Sequence, residues 1–103
     1  MKKLECIIRP EKLDDVRNAL RKTGVGGMTI TTVEGFGKSR AIGRGSVTKV
    51  KIEVYVDDFQ ANSIVEIVLK AARTGDTGDG KIAIIPLEGI YRIRTGERGV
   101  KAV

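Results

Sequence analysis

Apolar and polar positions follow two different periods along the chain, and the order in which those periods occur predicts its elements. Lys2 to Arg9 is apolar and partly β-branched and closes at Pro10, which predicts a strand. Pro10 also suits the first position of a helix. Glu11 to Lys22 then places Leu13, Val16 and Leu20 at helical spacing, with charges on the other face and acids in the early part. The helix is predicted to stop at Gly24-Val25-Gly26-Gly27. Met28 to Phe36 alternates, with Met28, Ile30 and Thr32 on one face and Thr29, Thr31 and Val33 on the other, a second strand. Gly35-Phe36-Gly37 ends it, and a polar, flexible connection follows over about 38–48.

The alternation is cleanest from Lys49: Val50, Ile52, Val54 and Val56 point one way and Lys49, Lys51, Glu53 and Tyr55 the other. This predicts a half-buried strand in an antiparallel sheet. Asp57-Asp58 favours a helix N-terminus, and Phe59, Ile64, Val65, Ile67, Val68, Ala71 and Ala72 form a helical stripe ending near Thr74-Gly75. A glycine-rich turn, Gly75 to Gly80, leads to an apolar strand at Ile82–Ile85, then Pro86 and a short strand at Ile90–Arg94. The order strand, helix, strand, strand, helix, strand predicts an α+β chain of ferredoxin-like βαββαβ type. Its sheet is antiparallel, its helices lie on one face, and a short extra C-terminal strand is added. No linker divides it, so residues 1–103 read as a single domain.

Composition narrows the chemistry. With no His and one cysteine, Cys6, the chain offers no Ser-His-Asp triad, Cys-His pair or Cys/His zinc site. A lone Cys in an apolar strand reads as a small core residue, gives no disulfide framework, and fits a cytoplasmic setting. The apolar runs fall far short of the roughly 18–20 residues that a membrane-spanning helix needs, so no direct membrane insertion is expected. The net charge of +6 is unevenly distributed: Gly35 to Lys51 carries Lys38, Arg40, Arg44, Lys49 and Lys51 and no acid. Ile52 to Gly80 is net acidic, and Lys81 to Val103 is basic again. Cationic charge set among glycines points to a local anion site.

Three elements could build such a site. Gly75-Asp76-Thr77-Gly78-Asp79-Gly80-Lys81 meets the G-x-x-x-x-G-K part of a P-loop but has Ile82 where a Ser or Thr would hold magnesium, and it lies between helix and strand instead of strand and helix. It is not a Walker A motif. Its glycines can still bring backbone N–H groups together into an anion-binding concavity, with Lys81 as a point charge; the other reading is a helix C-cap and a tight turn. Arg92-Ile93-Arg94, if on a strand, projects two guanidiniums from one face, suited to gripping phosphate oxygens or to a solvated, ion-paired surface. Gly35-Phe36-Gly37-Lys38 is a third glycine-plus-base element, or simply the entry to a loop. These elements are remote in sequence, and a subunit boundary is a natural place for them to meet.

The combination of Ala72-Arg73-Thr74-Gly75 and Gly78-Asp79-Gly80-Lys81-Ile82 with Arg92-Ile93-Arg94-Thr95-Gly96-Glu97 resembles the PII nitrogen-regulatory signal proteins. So do the opening Met1-Lys2-Lys3-Leu4-Glu5-Cys6-Ile7-Ile8-Arg9-Pro10 and the stretch from Gly27 to Gly37. The resemblance implies a homotrimer with nucleotide sites between neighbours, which binds ATP or ADP and, in many members, 2-oxoglutarate with Mg-ATP. It implies a sensor, not an enzyme, whose exposed loop docks onto membrane transporters, metabolic enzymes or regulators. By motif match, Gly78, Asp79, Gly80 and Lys81 would contact phosphates and ribose, with Gly35, Gly37 and Lys38 nearby. Arg92 and Arg94 would reach in from the neighbouring subunit. Ile7 and Thr29 fall at the adenine region, and Tyr55 occupies a position usually held by an aliphatic residue.

The chain also departs from that pattern. Ser39 stands where the family has the Gln that helps coordinate magnesium between ATP and the oxo-acid, and it is too short to reproduce that reach. Lys49 keeps the charge partner for the oxo-acid carboxylate, with Gly37 and Gly78 beside it by motif. Only the eleven residues 38–48 separate Gly37 from Lys49, a shorter loop than in typical members. Arg44-Gly45-Ser46 resembles a phosphorylated Arg-Gly-Ser of some cyanobacterial members, which makes Ser46 a candidate modification site. Two other readings remain: a ferredoxin-like nucleic-acid-binding module, for which the strands offer only Tyr55 and Tyr91 as outward aromatics, and an ATP-hydrolysing enzyme, for which no motif places a base.

Overall fold

The computed structural model describes residues 1–36 and 46–103. Alternation sets the first strand, β1 (Lys2–Ile8): Leu4, Cys6 and Ile8 are buried, while Lys3, Glu5 and Ile7 stay partly exposed. Pro10 opens a 3-10 turn, Pro10–Lys12, closed by the Lys12 amide donating to the Arg9 carbonyl at 3.0 Å. The helix expected from Glu11 therefore begins tightly and becomes α1 at Leu13–Arg21, burying Val16 and Leu20.

The next two strands are β2 (Thr29–Gly35) and β3 (Val47–Val56). β3 begins two residues before Lys49, where the alternation is first clean, because its opening residues pair with the end of β2, Gly35 opposite Val47. Gly37, Lys38, Ser39 and Arg44, on which several expectations rested, lie outside the described residues. Asp57 caps α2 (Asp58–Ala72) as its sequence predicts: its carboxylate accepts from the Gln60 amide at 3.1 Å, and the Gln60 side chain accepts from the Asp57 amide at 3.4 Å. Such a reciprocal cap satisfies two amides that the first helical turn leaves unpaired. β4 (Gly80–Pro86) completes the set and is longer at each end than its apolar centre.

The strands form one antiparallel sheet in the order β2-β3-β1-β4, the ferredoxin-like arrangement. Both helices bury their apolar stripes on one face, where Leu4, Cys6, Ile8, Val50, Ile52, Val54 and Val56 meet Val16, Leu20, Ile64 and Val68. Burial also pushes the Cys6 thiol up to about 11, so it stays protonated among the core side chains. The opposite face carries Thr29, Thr31, Lys3, Glu5, Ile7, Lys49, Lys51, Glu53, Tyr55 and Lys81, as the register requires. A Lys3–Glu53 ion pair at 3.0 Å lies on it, and this bond raises the Lys3 pKa and lowers that of Glu53.

One expected element is absent from the sheet. Residues 90–94 do not form a strand of their own: Tyr91 makes an isolated antiparallel bridge with Arg98. Between them the chain folds back, with the Arg92 amide donating to the Glu97 carbonyl and the Gly96 amide to the Arg92 carbonyl, both at 2.8 Å. The left-handed φ of +72° at Gly96 permits this turn, and the Thr95 hydroxyl accepting from the Glu97 amide at 3.2 Å stabilises it. Alternation over five residues cannot tell a strand from such a hairpin. The polar tail expected after it includes a further 3-10 turn, Gly99–Ala102. Among the described residues, no helix is long and apolar enough to cross a membrane.

Candidate functional site

Antiparallel pairing brings the C-terminal ends of β1 and β2 to the same edge of the sheet as the starts of β3 and β4. Ile8 faces both Val50 and Gly80, and Gly35 faces Val47. Arg9, Lys49 and the glycine turn before β4 meet there. α2 ends in an extended Arg73, and the chain reaches β4 through Thr74 to Asp79, with left-handed backbone at Gly75, Gly78 and Gly80.

The turn is organised around the Asp79 carboxylate. Its Oδ2 accepts from the amides of Thr74 and Gly75, each at 2.9 Å. Its Oδ1 accepts from the Thr74 hydroxyl and from Arg9 Nε at 2.9 Å. The Thr74 hydroxyl, then Arg9 and the two amides, hold the carboxyl well below the usual carboxylate range. With two donors on each oxygen, its acceptor capacity is filled from within the chain. The resemblance gives Asp79 a role toward ligand; in the structure its side chain, about 24% exposed, holds the turn together.

Two cations close the other side. The second arm of the Arg9 guanidinium donates to the Thr77 carbonyl at 2.8 Å, and Lys49 Nζ donates to the Gly78 carbonyl. A Cβ on Gly78 would lie 3.3 Å from the Arg9 guanidinium and 3.7 Å from the Lys49 ammonium. Lys81 is exposed at the start of β4 and pairs with Ile7 across the sheet. Ile7, Gly80 and Lys81 line a cleft of about 90 Å³ together with Leu69, Ala72 and Arg73. Asp79 and Ile82 complete that lining, which sets apolar side chains beside the charged groups of Arg73, Asp79 and Lys81. A larger depression of about 810 Å³ between the helices, with Lys12, Asp15, Lys22 and Lys70 on its walls, lacks such a glycine turn.

The other candidate residues are placed apart from this cluster. Thr29 pairs with Glu53 on the far edge strand, and Tyr55 pairs with Lys3 at the opposite end of β1. Gly35 ends β2 at the same edge of the sheet as the turn, and Ser46 is exposed just before β3. Arg92 and Arg94 lie in the tail hairpin and not on a strand, so alternation does not align their guanidiniums. Arg92 donates to the Lys101 carbonyl at 3.2 Å, and Arg94 is exposed. Tyr91, weighed as a base-stacking residue, is off the sheet with the Arg98 guanidinium 5.2 Å from its ring centre.

Arg9 is the residue that motif reading left without a role. A signal was present, since Arg9 continues the series Lys3, Glu5, Ile7 and so belongs to the open face, immediately before the rigid Pro10. Thr74 is visible in the sequence only as a helix end, and its bond to Asp79 links residues five positions apart.

Comparisons with known proteins converge on one group. A family model described as "Nitrogen regulatory protein P-II" matches residues 1–97. The nitrogen regulatory protein P-II of Nostoc punctiforme is 48% identical, with all of both chains covered, in an alignment of 112 positions against 103 residues here. The nitrogen regulatory protein P-II 2 of Methanothermobacter thermautotrophicus is 47% identical over all of this chain and 97% of its own. Among solved structures, Arabidopsis thaliana PII bound to citrate superposes with a TM-score of 0.86 at 42% identity, covering 99% of this chain and 91% of that one.

Proposed function

The chain belongs to the nitrogen regulatory protein P-II family, and from that premise we propose that it is a signal-transduction protein that binds ATP or ADP in clefts between the subunits of a homotrimer. In this reading it acts in the cytoplasm by regulating a transporter, enzyme or regulator of nitrogen or carbon metabolism, and it is not itself an enzyme. The observation that carries the reading is the preset glycine turn. Its shape is held by internal contacts of Asp79, while Lys81 stands exposed beside it. A cradle formed before the ligand arrives spends little binding energy on ordering.

In this assignment the phosphates lie against Gly78, Gly80 and Lys81, with Gly35, Gly37 and Lys38 at the edge of the cleft and Arg92 and Arg94 reaching in from a neighbour. Ile7, Thr29 and Tyr55 serve the base side of the composite cleft. Self-association is supported by the large apolar side chains a single subunit leaves exposed, including Ile30, Ile84, Tyr91 and Ile93. The Asp79 carboxylate is filled by four donors and would not hold Mg²⁺, which would be carried by the nucleotide's own phosphates.

A small carboxylate is the second ligand class. Arabidopsis PII is bound to citrate, and here the Arg9 and Lys49 cations flank Gly78. For 2-oxoglutarate the charge partner Lys49 is in place, whereas Ser39 does not supply the reach of the Gln it replaces, so a weak dependence on this oxo-acid is expected. The nucleic-acid alternative loses ground with Tyr91 off the sheet. Calorimetry with ATP, ADP, AMP and 2-oxoglutarate, with and without magnesium, tests the whole reading. Saturable binding of ATP or ADP is expected, and absence of both would overturn it.

A further inference from the structure

The guanidinium of Arg9 spans the glycine turn, donating to Asp79 at one end and to the Thr77 carbonyl at the other. Gly78, between those two residues, passes so close that a Cβ there would sit 3.3 Å from a guanidinium nitrogen. Of the four donors on the Asp79 carboxylate, three belong to Thr74 and Gly75 at the exit of α2, and Arg9 alone comes from the β1 side.

We propose that Arg9 is a positioning residue, which acts through Asp79 and the Thr77 carbonyl to hold the 74–80 turn in its anion-receiving shape and to lock that turn to the end of β1. The inference rests on the reading of the turn as the phosphate cradle. A planar fork with fixed donor directions can bridge two acceptors at once, and a lysine, with its single ammonium, reaches one or the other. The fork is itself held in place: Arg9 lies between the last residue of β1 and Pro10, with extended φ and ψ of −66° and 140°, the conformation a following proline favours. Removing the guanidinium leaves the Asp79 charge with uncharged donors only and releases the Thr77 carbonyl, with Lys49 on the Gly78 carbonyl as the remaining cation on the turn.

The test combines amide hydrogen exchange of residues 74–81 with ATP calorimetry on the full chain, for Arg9→Met, Arg9→Lys, Asp79→Asn and the Arg9→Met/Asp79→Asn double variant. Arg9→Met is expected to speed exchange in the turn about tenfold while β1 and β3 amides keep their protection, and to weaken ATP about tenfold, the scale of one charged hydrogen bond. Arg9→Lys should recover part of both effects. The double variant should bind ATP no worse than Asp79→Asn, whereas Arg9→Met combined with Lys81→Ala should be additive. Unchanged exchange in Arg9→Met and Arg9→Lys overturns the clamp. Faster exchange with undiminished ATP affinity, or full additivity of Arg9→Met with Asp79→Asn, overturns its role in receiving the ligand. A wild-type protein that binds neither ATP nor ADP overturns the nucleotide reading instead, and exchange still decides the clamp.

Discussion

A Cβ on Gly80 would lie 1.8 Å from the carbonyl oxygen of Ile7, so β4 meets β1 at this point by bare backbone. The φ of +103° at Gly80 excludes a side chain for a second, independent reason. Gly80→Ala is therefore expected to destabilise the protein by about 3 kcal/mol or more, in the tail of single-substitution effects. Urea denaturation checks this, and an unchanged midpoint would refute the close approach.

Asp79 sets a pH dependence of definite sign. Its folded pKa lies below the unfolded value, because the Thr74 hydroxyl, Arg9 and two amides all favour the charged form. The stability it contributes is thus fully present above the ordinary carboxylate value of about 3.9 and is lost as pH falls below it toward the depressed folded value. Asp79→Asn should be less stable than wild type at neutral pH, with the difference shrinking in acid. Equal denaturation midpoints at all pH values would contradict the internal role of this carboxylate.

Lys81→Ala and Arg92→Ala are each expected to weaken ATP and ADP by roughly 1–3 kcal/mol, the range of charge-assisted contacts, without unfolding the protein. Calorimetry beside a melting curve separates the two effects. Undiminished affinity in both variants would remove these residues from the site.

Ile93 is fully exposed in the single subunit, at the tip of the tail hairpin. Sedimentation is expected to report three times the 11.2 kDa subunit mass. Ile93→Asp should shift the population toward smaller species if the tail packs on a neighbour. A wild-type monomer at micromolar concentration would exclude the proposed clefts between subunits.

The core offers a control far from the turn. Leu20 is completely buried on α1 against the sheet. Leu20→Ala should cost about 2–5 kcal/mol through lost contacts and the cavity left behind, whereas Asp57→Ala, which removes only a cap, should cost about 1 kcal/mol. Chemical denaturation that ranks the pair in reverse would contradict this account of the core.

Much of the fold was legible because its signals are local. The alternation from Val50 to Val56 and the helical spacing of Val16 and Leu20 each sort residues by face, and burial follows them. The capping pair Asp57 and Gln60 is likewise read within a few residues. The segment Ile90 to Arg94 is misleading for the same reason. Its five positions alternate like a strand, but Gly96 and the hydrogen bond between Arg92 and Glu97 turn the chain back on itself.

The sequence by itself determined the order of elements, the core faces and the glycine turn with Lys81 beside it. It also determined the family, since the motifs that carry the resemblance are contiguous. Only the tertiary structure decided what the charged residues of the turn do. Arg9 and Asp79 are 70 residues apart, and they meet because β4 pairs with β1 in one register, Ile8 opposite Gly80. Register is a property of the assembled sheet, so the contacts of Arg9 with Asp79 and with the Thr77 carbonyl become visible only when the strands are paired.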